Sequence, residues 1–541
     1  MSEGREARIA ALVNAALLAL LAVLGSVLLA WHADAVRVEA VPAARVVWAI
    51  LALAAWLVVL VCSRRGRGPM AAGRTQPLDA VDWVVAAASQ TGYAEQLAAQ
   101  TAALLGAAGL TVQVRDLSAL DVTALRSARR LLLVASTTGE GDAPDSSLAF
   151  VSEVMTRTPA LSALEFGVLA LGDRGYQHFC AFGHALHAWL RGCGARAWFD
   201  PIEVDNGDAE ALRRWQWQLS VLSGVSDLPA WQSLPCQPWH LLERRLLNPD
   251  CHGNPCFHLA LVPERAGDAV WEAGDIAEIG PRHATTTVVA WLQAAALDGA
   301  SPVDTGQGSE PLATVLARSH LPAPDSVGGL DAAMLASRLV PLPQREYSIA
   351  SLPADGRLEL LVRQQRGADG VLGIGSGWLT AGAEVGATIA LRIRRNRNFH
   401  LPAVAGPLIL IGNGTGIAGL RALLKARAAA GQGDNWLLFG ERHAAHDHYY
   451  RDELAAWQGA GHLTHVDLAF SRDTPECVYV QQRLHEQAER LQRWVAAGAA
   501  IYVCGSQHGM AEGVDRALRE SLGDEAVQRL TLAGRYRRDV Y

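Results

Sequence analysis

Apolar runs of strand length that empty into loops of glycine, serine and threonine recur along this chain, and they restrict it to open α/β sheets. Residues 81–87 read as a buried strand, Ser89-Gln90-Thr91-Gly92-Tyr93-Ala94 follows, and a helix is expected over 95–106. Backbone N–H groups at such a helix start, with the hydroxyls of Ser89 and Thr91 and the helix dipole, make an anion site. Residues 131–135 lead in the same way into Ser136-Thr137-Thr138-Gly139-Glu140-Gly141-Asp142. Residues 166–171 lead into Gly172-Asp173-Arg174-Gly175-Tyr176-Gln177-His178-Phe179-Cys180. Loops at the carboxyl ends of strands are where open α/β sheets bind ligands. Glycines there let the backbone approach a flat ring, and Tyr176 can stack on it.

The second half carries the same device. A buried strand over 407–411 precedes Gly412-Asn413-Gly414-Thr415-Gly416, a phosphate-cradling turn suited to a dinucleotide. A later strand ends at Ser471-Arg472. A hydroxyl beside a guanidinium suits a ribose 2′-phosphate, which favours NADPH over NADH. Upstream, the alternation of Arg345-Glu346-Tyr347-Ser348 points Arg345 and Tyr347 to one side. The guanidinium can then meet pyrophosphate while the phenol stacks on a ring. Gly373-Ile374-Gly375-Ser376-Gly377-Trp378-Leu379 follows. Near the C-terminus a strand ends at Cys504-Gly505, and the chain closes on Arg535-Tyr536-Arg537-Arg538-Asp539-Val540-Tyr541. A thiol at a strand end and a terminal aromatic suggest a site where a planar ring is covered and uncovered.

A chain of 541 residues fits three or four domains at roughly 100–200 residues each. Its 50% hydrophobic content is concentrated at the N-terminus, in residues 9–30 and 46–62. Each run is close to the length of about 20 residues that crosses a hydrocarbon core, and the short link over 31–45 suits a transmembrane helical hairpin. A cleaved signal peptide has a shorter apolar core and leaves the second run unexplained. Arg64, Arg65, Arg67 and Arg74 follow the second run, and Arg5 and Arg8 precede the first. The positive-inside rule then places both ends, and the remaining domains, on the cytoplasmic side of the inner membrane. The net charge of -7 excludes a basic nucleic-acid surface. The eight cysteines are scattered and are expected as free thiols. Cys251, His252, Cys256 and His258 match no zinc spacing, and His446-Asp447-His448 reads as surface, so no metal is expected.

Taken together and in this order, these segments resemble the diflavin reductases, the family of NADPH-cytochrome P450 reductase and the sulfite reductase flavoprotein subunit. The resemblance implies an α/β multidomain protein. Residues 1–77 would be the membrane hairpin and linker, and 78–225 a flavodoxin-like FMN domain. Residues 236–402 would be a ferredoxin-reductase-type FAD-binding β-barrel with a reduced connecting insert over 284–344, and 403–541 an NADPH-binding α/β domain. By the same resemblance Ser89, Gln90, Thr91, Gly92, Tyr93 and Ala94 hold the FMN phosphate. Ser136, Thr137, Thr138, Gly139, Glu140 and Gly141 lie along the FMN ring. Tyr176 shields that ring, within the loop that also contributes Leu171, Gly172, Asp173, His178, Phe179 and Cys180. Arg345, Tyr347, Ser348, Gly373 and Ser376 bind FAD, on whose ring Tyr541 stacks. Gly414, Thr415, Gly416, Ser471, Arg472, Tyr479 and Gln481 bind NADPH. Ser348, Cys504 and Asp539 form the catalytic cluster.

The chain departs from the family pattern at several positions. Thr138 stands where some relatives have an aromatic, Gly375 where a cysteine is usual, Cys477 in place of a lysine and Ser506 in place of an acid. The activity implied is that of a membrane-anchored, NADPH-haemoprotein-reductase-like oxidoreductase, passing electrons from NADPH to FAD, to FMN and then to a haem protein or similar one-electron acceptor. The acceptor would dock on an acidic rim of Glu140, Asp142, Asp145, Asp205 and Asp208. Alternative readings are the flavoprotein component of sulfite reductase and an electron donor for ferric-siderophore reduction. A reading of a different class is a non-catalytic flavin-based membrane sensor.

Overall fold

The first described segment folds as a parallel sheet because its strands are apolar on both faces, which requires helices on each side. The structure is a computed structural model that describes residues 83–225, 235–265, 267, 269–306 and 308–541, all within the unit Pro77–Tyr541. Strands β1 (Trp83–Ala88), β2 (Val112–Asp116), β3 (Arg130–Ser136), β4 (Glu165–Gly172), β5 (Arg196–Ala197) and β6 (Ile202–Asp205) pair in the order β2-β1-β3-β4-β5, with β6 also on β4. All these pairs are parallel.

Alternate residues of β1 feed two different cores. Val84 and Ala86 join Leu133, Phe166, Val168, Leu186 and Leu190. Trp83, Val85 and Ala87 join Val134, Leu169, Leu97, Leu105, Trp215 and Leu219. The covering helices are α1 (Tyr93–Ala107), α2 (Leu148–Glu153), α3 (Ala181–Gly192) and α4 (Ala209–Ser223). Each fully buried Leu, Val or Phe contributes roughly 1.5–3 kcal/mol. Burial of Trp215 and Leu219 anchors α4 along its length to Ser223.

The second module is a six-stranded antiparallel sheet, in the order β12-β9-β14-β7-β8-β13. Its strands are β7 (Gln237–Leu246), β8 (Cys256–Pro263), β9 (Ile276–Gly280), β12 (Arg345–Ser348), β13 (Leu358–Arg363) and β14 (Thr388–Arg394). The end strands β12 and β13 also approach one another, so the sheet curls into a barrel-like shape around Trp239, Leu261, Ile279, Leu360, Leu379 and Leu391. Between β9 and β12 lies a small lobe with its own core of Val288, Trp291, Leu312, Leu316 and Leu335. It is built from helices α5 (Thr285–Ala294) and α6 (Leu312–Ala317) and the hairpin β10 (Pro302–Asp304) with β11 (Ser309–Pro311).

The third module is a parallel sheet in the order β17-β16-β15-β18-β19. Its strands are β15 (Leu408–Asn413), β16 (Asn435–Glu441), β17 (His465–Phe470), β18 (Ala500–Gly505) and β19 (Tyr536–Val540). Helices α7 (Ile417–Ala429), α8 (Arg451–Gly459) and α9 (Asp524–Leu532) surround it. The second and third modules share a core, in which Ala350, Leu361 and Phe399 pack with Leu408, Leu420, Leu437 and Tyr502.

The membrane expectations are corrected. Among the described residues no helix is long and apolar enough to cross a membrane. Helices α1 and α4, at 15 residues each, span only about 22 Å at 1.5 Å per residue, short of a core of roughly 30 Å, and each buries one face on a sheet. The two expected spans, 9–30 and 46–62, lie outside the described residues. The transmembrane hairpin, the membrane as partner and the inner-membrane location are therefore withdrawn.

Candidate active site

Three strands ending at the same edge bring together residues far apart in sequence. In the third sheet Gly412 of β15 pairs with Cys504 of β18, which pairs with Asp539 of β19. Ser348, the last residue of β12, approaches from the barrel. Its Oγ donates to Asp539 Oδ2 at 2.7 Å, and Cys504 Sγ donates to the same oxygen at 3.7 Å. Cys504 is 0% and Asp539 4% exposed. Burial raises the Asp539 carboxyl, against the pull of the Ser348 hydrogen bond. Burial pushes the Cys504 thiol well up, and the Asp539 charge adds to this, so Cys504 is a thiol at neutral pH. A Cβ built on Gly419 of α7 would lie 3.3 Å from Cys504 Sγ and 3.5 Å from Ser348 Cβ. That helix start therefore walls the cluster, a role that nothing in the sequence signals.

Tyr541 lies next to this cluster but is 56% exposed. Its hydroxyl pairs with Thr415 Oγ1 at 2.9 Å, its N–H donates to the Gly505 carbonyl at 3.0 Å, and its own carbonyl accepts from Gln507 N at 3.0 Å. The chain end thus covers the Gly414-Thr415-Gly416 turn that opens α7. Asn413 Oδ1 accepts from Ser506 N at 2.9 Å and fixes the opposite side of that turn.

On the barrel, the exposed Arg345 guanidinium reaches only the carbonyls of Pro343 and Gln344, at 3.3 and 3.4 Å. Its aliphatic stem lies on Gly375, where a Cβ would crowd Arg345 Cγ. Ser376 Oγ accepts from Gln365 N at 3.0 Å and Gly373 N donates to Gln365 O at 2.9 Å. Arg345, Gly373 and Ser376 thus converge on one loop. Burial pushes the Tyr347 phenol up to about 12, opposed by the nearby Arg345 charge, so it stays neutral. Trp378 Nε1 in the same loop is buried without a partner among the described residues.

In the flavodoxin-like module the three expected loops meet beyond β1, β3 and β4. Ser89 Oγ accepts from Gly92 N at 2.9 Å. Gly92 has φ +88, and a Cβ there would collide with the Arg395 carbonyl of the barrel. Tyr93, pushed to about 12 by burial, and Ala94 are packed into α1. Thr138 N and Asp142 N donate across a tight turn at 2.9 and 2.8 Å. Among the described residues the buried Thr137 Oγ1 has no partner. Glu140 Oε2 accepts from Gln177 N at 3.1 Å, and His178 Nδ1 contacts the Glu140 carbonyl. Asp173 Oδ1 accepts from Gly175 N at 2.6 Å. Gly172 sits against Phe179 and Cys180, whose thiol donates to Ala170 O at 3.2 Å, and Leu171 is buried at the end of β4. The Tyr176 ring is 6.1 Å from that of His508 in the third module.

The acidic rim is partly engaged within the fold. Asp145 pairs with Arg538, Asp205 with Arg174 at 3.7 Å, and Asp208 accepts from Glu210 N and Ala211 N at the start of α4.

Ser471 and Arg472 sit at the end of β17, where their N–H groups donate to Glu441 O and Arg442 O at 2.9 and 2.8 Å. Ser471 Oγ donates to Glu441 O at 3.3 Å, and the Arg472 side chain is exposed. Tyr479 is exposed, and Gln481 Oε1 is buried without a partner. Cys477 adopts φ +52, an unusual conformation for a residue with a Cβ. The unpartnered Thr137, Trp378 and Gln481 atoms, one in each cofactor loop region, and the outward Arg345 and Arg472 fit FMN, FAD and NADPH respectively. Asn398 and Arg394, which help tie the modules together, belong to no motif, and the closing segment that contains Arg538 does not reveal its partner Asp145.

Residues 85–215 match the flavodoxin family, and residues 410–516 match the oxidoreductase NAD-binding domain. The chain is 31% identical to the sulfite reductase (NADPH) flavoprotein alpha-component of Yersinia enterocolitica, over 85% of this chain and 90% of that protein. It is 30% identical to the protein of the same name from Vibrio cholerae (87% and 89% covered), and 30% identical to that from Serratia proteamaculans (84% and 89% covered). Matches of this extent, with an FMN-type module, a barrel carrying Arg345-x-Tyr347-Ser348 and a dinucleotide sheet in one order, make it an oxidoreductase whose cofactors are FMN, FAD and NADPH. The chain belongs to the diflavin reductase family.

Proposed function

We propose that this chain is the NADPH-oxidising flavoprotein of a two-component system of the sulfite reductase type, delivering electrons to a haem-containing partner. The observation that carries the reading is the Ser348–Asp539–Cys504 cluster beneath a terminal Tyr541 that caps Thr415. The relatives' name, with its flavoprotein component, and the closing Arg535-Tyr536-x-Arg538-Asp539-Val540-Tyr541 segment support the acceptor class.

When bound, FAD accepts an electron pair from NADPH and FMN releases electrons singly. The chain supplies orientation and charge. Arg345 presents five N–H donors to a pyrophosphate. Ser471 and Arg472 hold the 2′-phosphate and select NADPH. Ser348 Oγ fixes the Asp539 carboxylate, which faces the positive charge that develops on nicotinamide. Cys504 keeps its own proton, which it donates toward Asp539 Oδ2, and would offer a neutral, polarizable sulfur to the ring. Tyr541 excludes water until nicotinamide displaces it.

The test has two parts. Asp539→Asn and Cys504→Ala are expected to slow flavin bleaching by NADPH by about a hundredfold while flavin content stays at wild type. Mixing the wild-type protein with the haemoprotein subunit of a relative should give NADPH-dependent sulfite reduction. Ferricyanide reduction without sulfite reduction would refute the acceptor and leave the reductase standing.

A further inference from the structure

The nucleotide module keeps a carboxylate directly beneath the turn that is to receive an anionic ligand. Glu441 is the last residue of β16, whose end lies beside that of β15. Its carbonyl accepts from Ser471 N at 2.9 Å, and its Oε2 accepts from Arg442 N at 2.9 Å. Gly414, with φ +58, opens the Gly414-Thr415-Gly416 turn, and a Cβ built on it would lie 3.6 Å from Glu441 Oε1. A bare carboxylate there opposes a diphosphate, since like charges within several ångströms in a half-sheltered site weaken binding by roughly tenfold. The compensating charge comes from the other module. Arg363, the last residue of β13, engages Glu441 Oε1 through Nη2 and donates to Tyr449 Oη at 3.2 Å. The same Nη2 would lie 3.5 Å from a Cβ on Gly414. The pair is sheltered, with side-chain exposures of 18% for Arg363 and 4% for Glu441. Burial works against the Arg363 cation, but the Glu441 charge outweighs it and raises the group above its usual value.

We propose that Arg363 is a positioning residue for NADPH, which cancels the Glu441 charge beneath the Gly414 turn and so lets that turn accept the dinucleotide diphosphate, an inference that rests on the NADPH placement given above. The nucleotide sheet by itself presents an acidic floor to the ligand, and the barrel neutralises it. Glu441 in turn holds the guanidinium on the floor instead of on the ligand. The pair therefore sets a diphosphate affinity between that of a free carboxylate and that of a free cation. A turn over a neutral pair holds the diphosphate less tightly than one over an unpaired arginine, which favours release of NADP+ after transfer.

The test uses the full-length protein with both flavins bound, as wild type, Glu441→Gln, Arg363→Met and the double variant, with Arg363→Lys as the conservative control. Calorimetry measures the affinity for NADP+ and for 2′-AMP, which carries the 2′-phosphate and lacks the diphosphate. Glu441→Gln should tighten NADP+ about tenfold, and Arg363→Met should weaken it about tenfold. The double variant should return to within about twofold of the wild type, because both charges are gone, and Arg363→Lys should stay close to it. All of these proteins should bind 2′-AMP alike. Should Arg363→Met fail to fold, Glu441→Gln decides alone. Unchanged or weaker NADP+ binding in Glu441→Gln, a double variant as weak as Arg363→Met, or equal changes for 2′-AMP would overturn the proposal. Arg472→Ala tests the placement and should weaken both ligands. If it weakened neither, the NADPH placement would fall and the role of Arg363 with it. If it weakened both while Glu441→Gln bound NADP+ as the wild type does, the role of Arg363 alone would fall.

Discussion

The two seams of this protein are built on opposite principles. Between the barrel and the nucleotide sheet, apolar side chains of both modules share one core, and a buried ionic lattice runs through it. Arg421 of α7 reaches Glu359 of β13 at 2.6 Å, the Ala350 carbonyl at 2.7 Å and Glu453 of α8 at 2.5 Å. Arg363 pairs with Glu441, and Asn248 Nδ2 donates to Asp447 at 3.1 Å. Burial works against the Glu359 carboxylate, but the adjacent Arg421 outweighs it and holds the group below its usual range.

Among the described residues the seam with the flavodoxin-like module has no shared core, since its apolar clusters draw only on that module. It is held by Asp145–Arg538, by Asn398 Nδ2 donating to Ser89 O and Gln90 O at 2.6 and 2.8 Å, and by Arg394 Nη2 on Thr91 Oγ1 at 3.3 Å. Helix α9 also packs on α2. A seam without a common core separates at little hydrophobic cost; one that threads charges through a core does not. The first arrangement suits a module that must visit an acceptor, and the second suits two modules that must keep one ring fixed against one dinucleotide.

The largest expected effect that would break this contrast is at Arg421. Arg421→Met removes the cation shared by Glu453 and the buried Glu359, leaving Glu359 only the half-exposed Arg357 at 2.8 Å, and should cost about 3 kcal/mol in urea unfolding of the barrel and nucleotide modules together. A loss below 1 kcal/mol would place the seam's strength elsewhere.

A smaller effect comes from His258, whose Nδ1 meets Tyr450 Oη at 2.9 Å in the same seam. Burial pushes its imidazole down to about 4, against the raising influence of Glu359. The unfolded chain, with an imidazole near its ordinary value of about 6.5, binds more protons between those limits. Stability should therefore be constant above pH 6.5 and fall by about 1–3 kcal/mol as pH drops toward 4. His258→Gln should flatten that slope, and an unaltered slope would remove His258 as its source.

The smallest effect sharpens the contrast from the other side. Asn398→Ala removes two hydrogen bonds whose carbonyl partners can turn to water, so docking should weaken by about 1 kcal/mol. Small-angle scattering should show a larger radius while urea unfolding of the barrel and nucleotide modules stays unchanged. A drop in their stability would mean that the two seams are not independent.

Much of this architecture was legible in the linear chain. Local pattern sufficed for β1, β3, β4 and β15, because strands buried on both faces must be continuously apolar and the glycine loops after them need special backbone geometry. Arg345, Tyr347 and the 373–377 loop were legible because they lie close together within one module, Arg345 on Gly375 itself. The terminal Cys504, Asp539 and Tyr541 could be expected together only by resemblance. Their actual contacts, with Ser348 and Thr415, come from the pairing of β18 with β19 and the docking of the barrel against that edge.

The N-terminal apolar runs show the limit of pattern alone, since hydropathy gave a membrane hairpin for which the described residues offer no spanning helix. Glycine, hydroxyl and apolar spacing fixed by the chain itself determined the strands of the parallel sheets and the glycine turns that follow them, because those preferences act within a few residues. The tertiary structure decided which side chains hold the modules together. Arg394 and Asn398 carry no motif, and the closing segment does not mark what Arg538 pairs with; all three became informative only through partners 303, 309 and 393 positions away. Side-chain pairing across a seam depends on how domains pack, and no local rule encodes that.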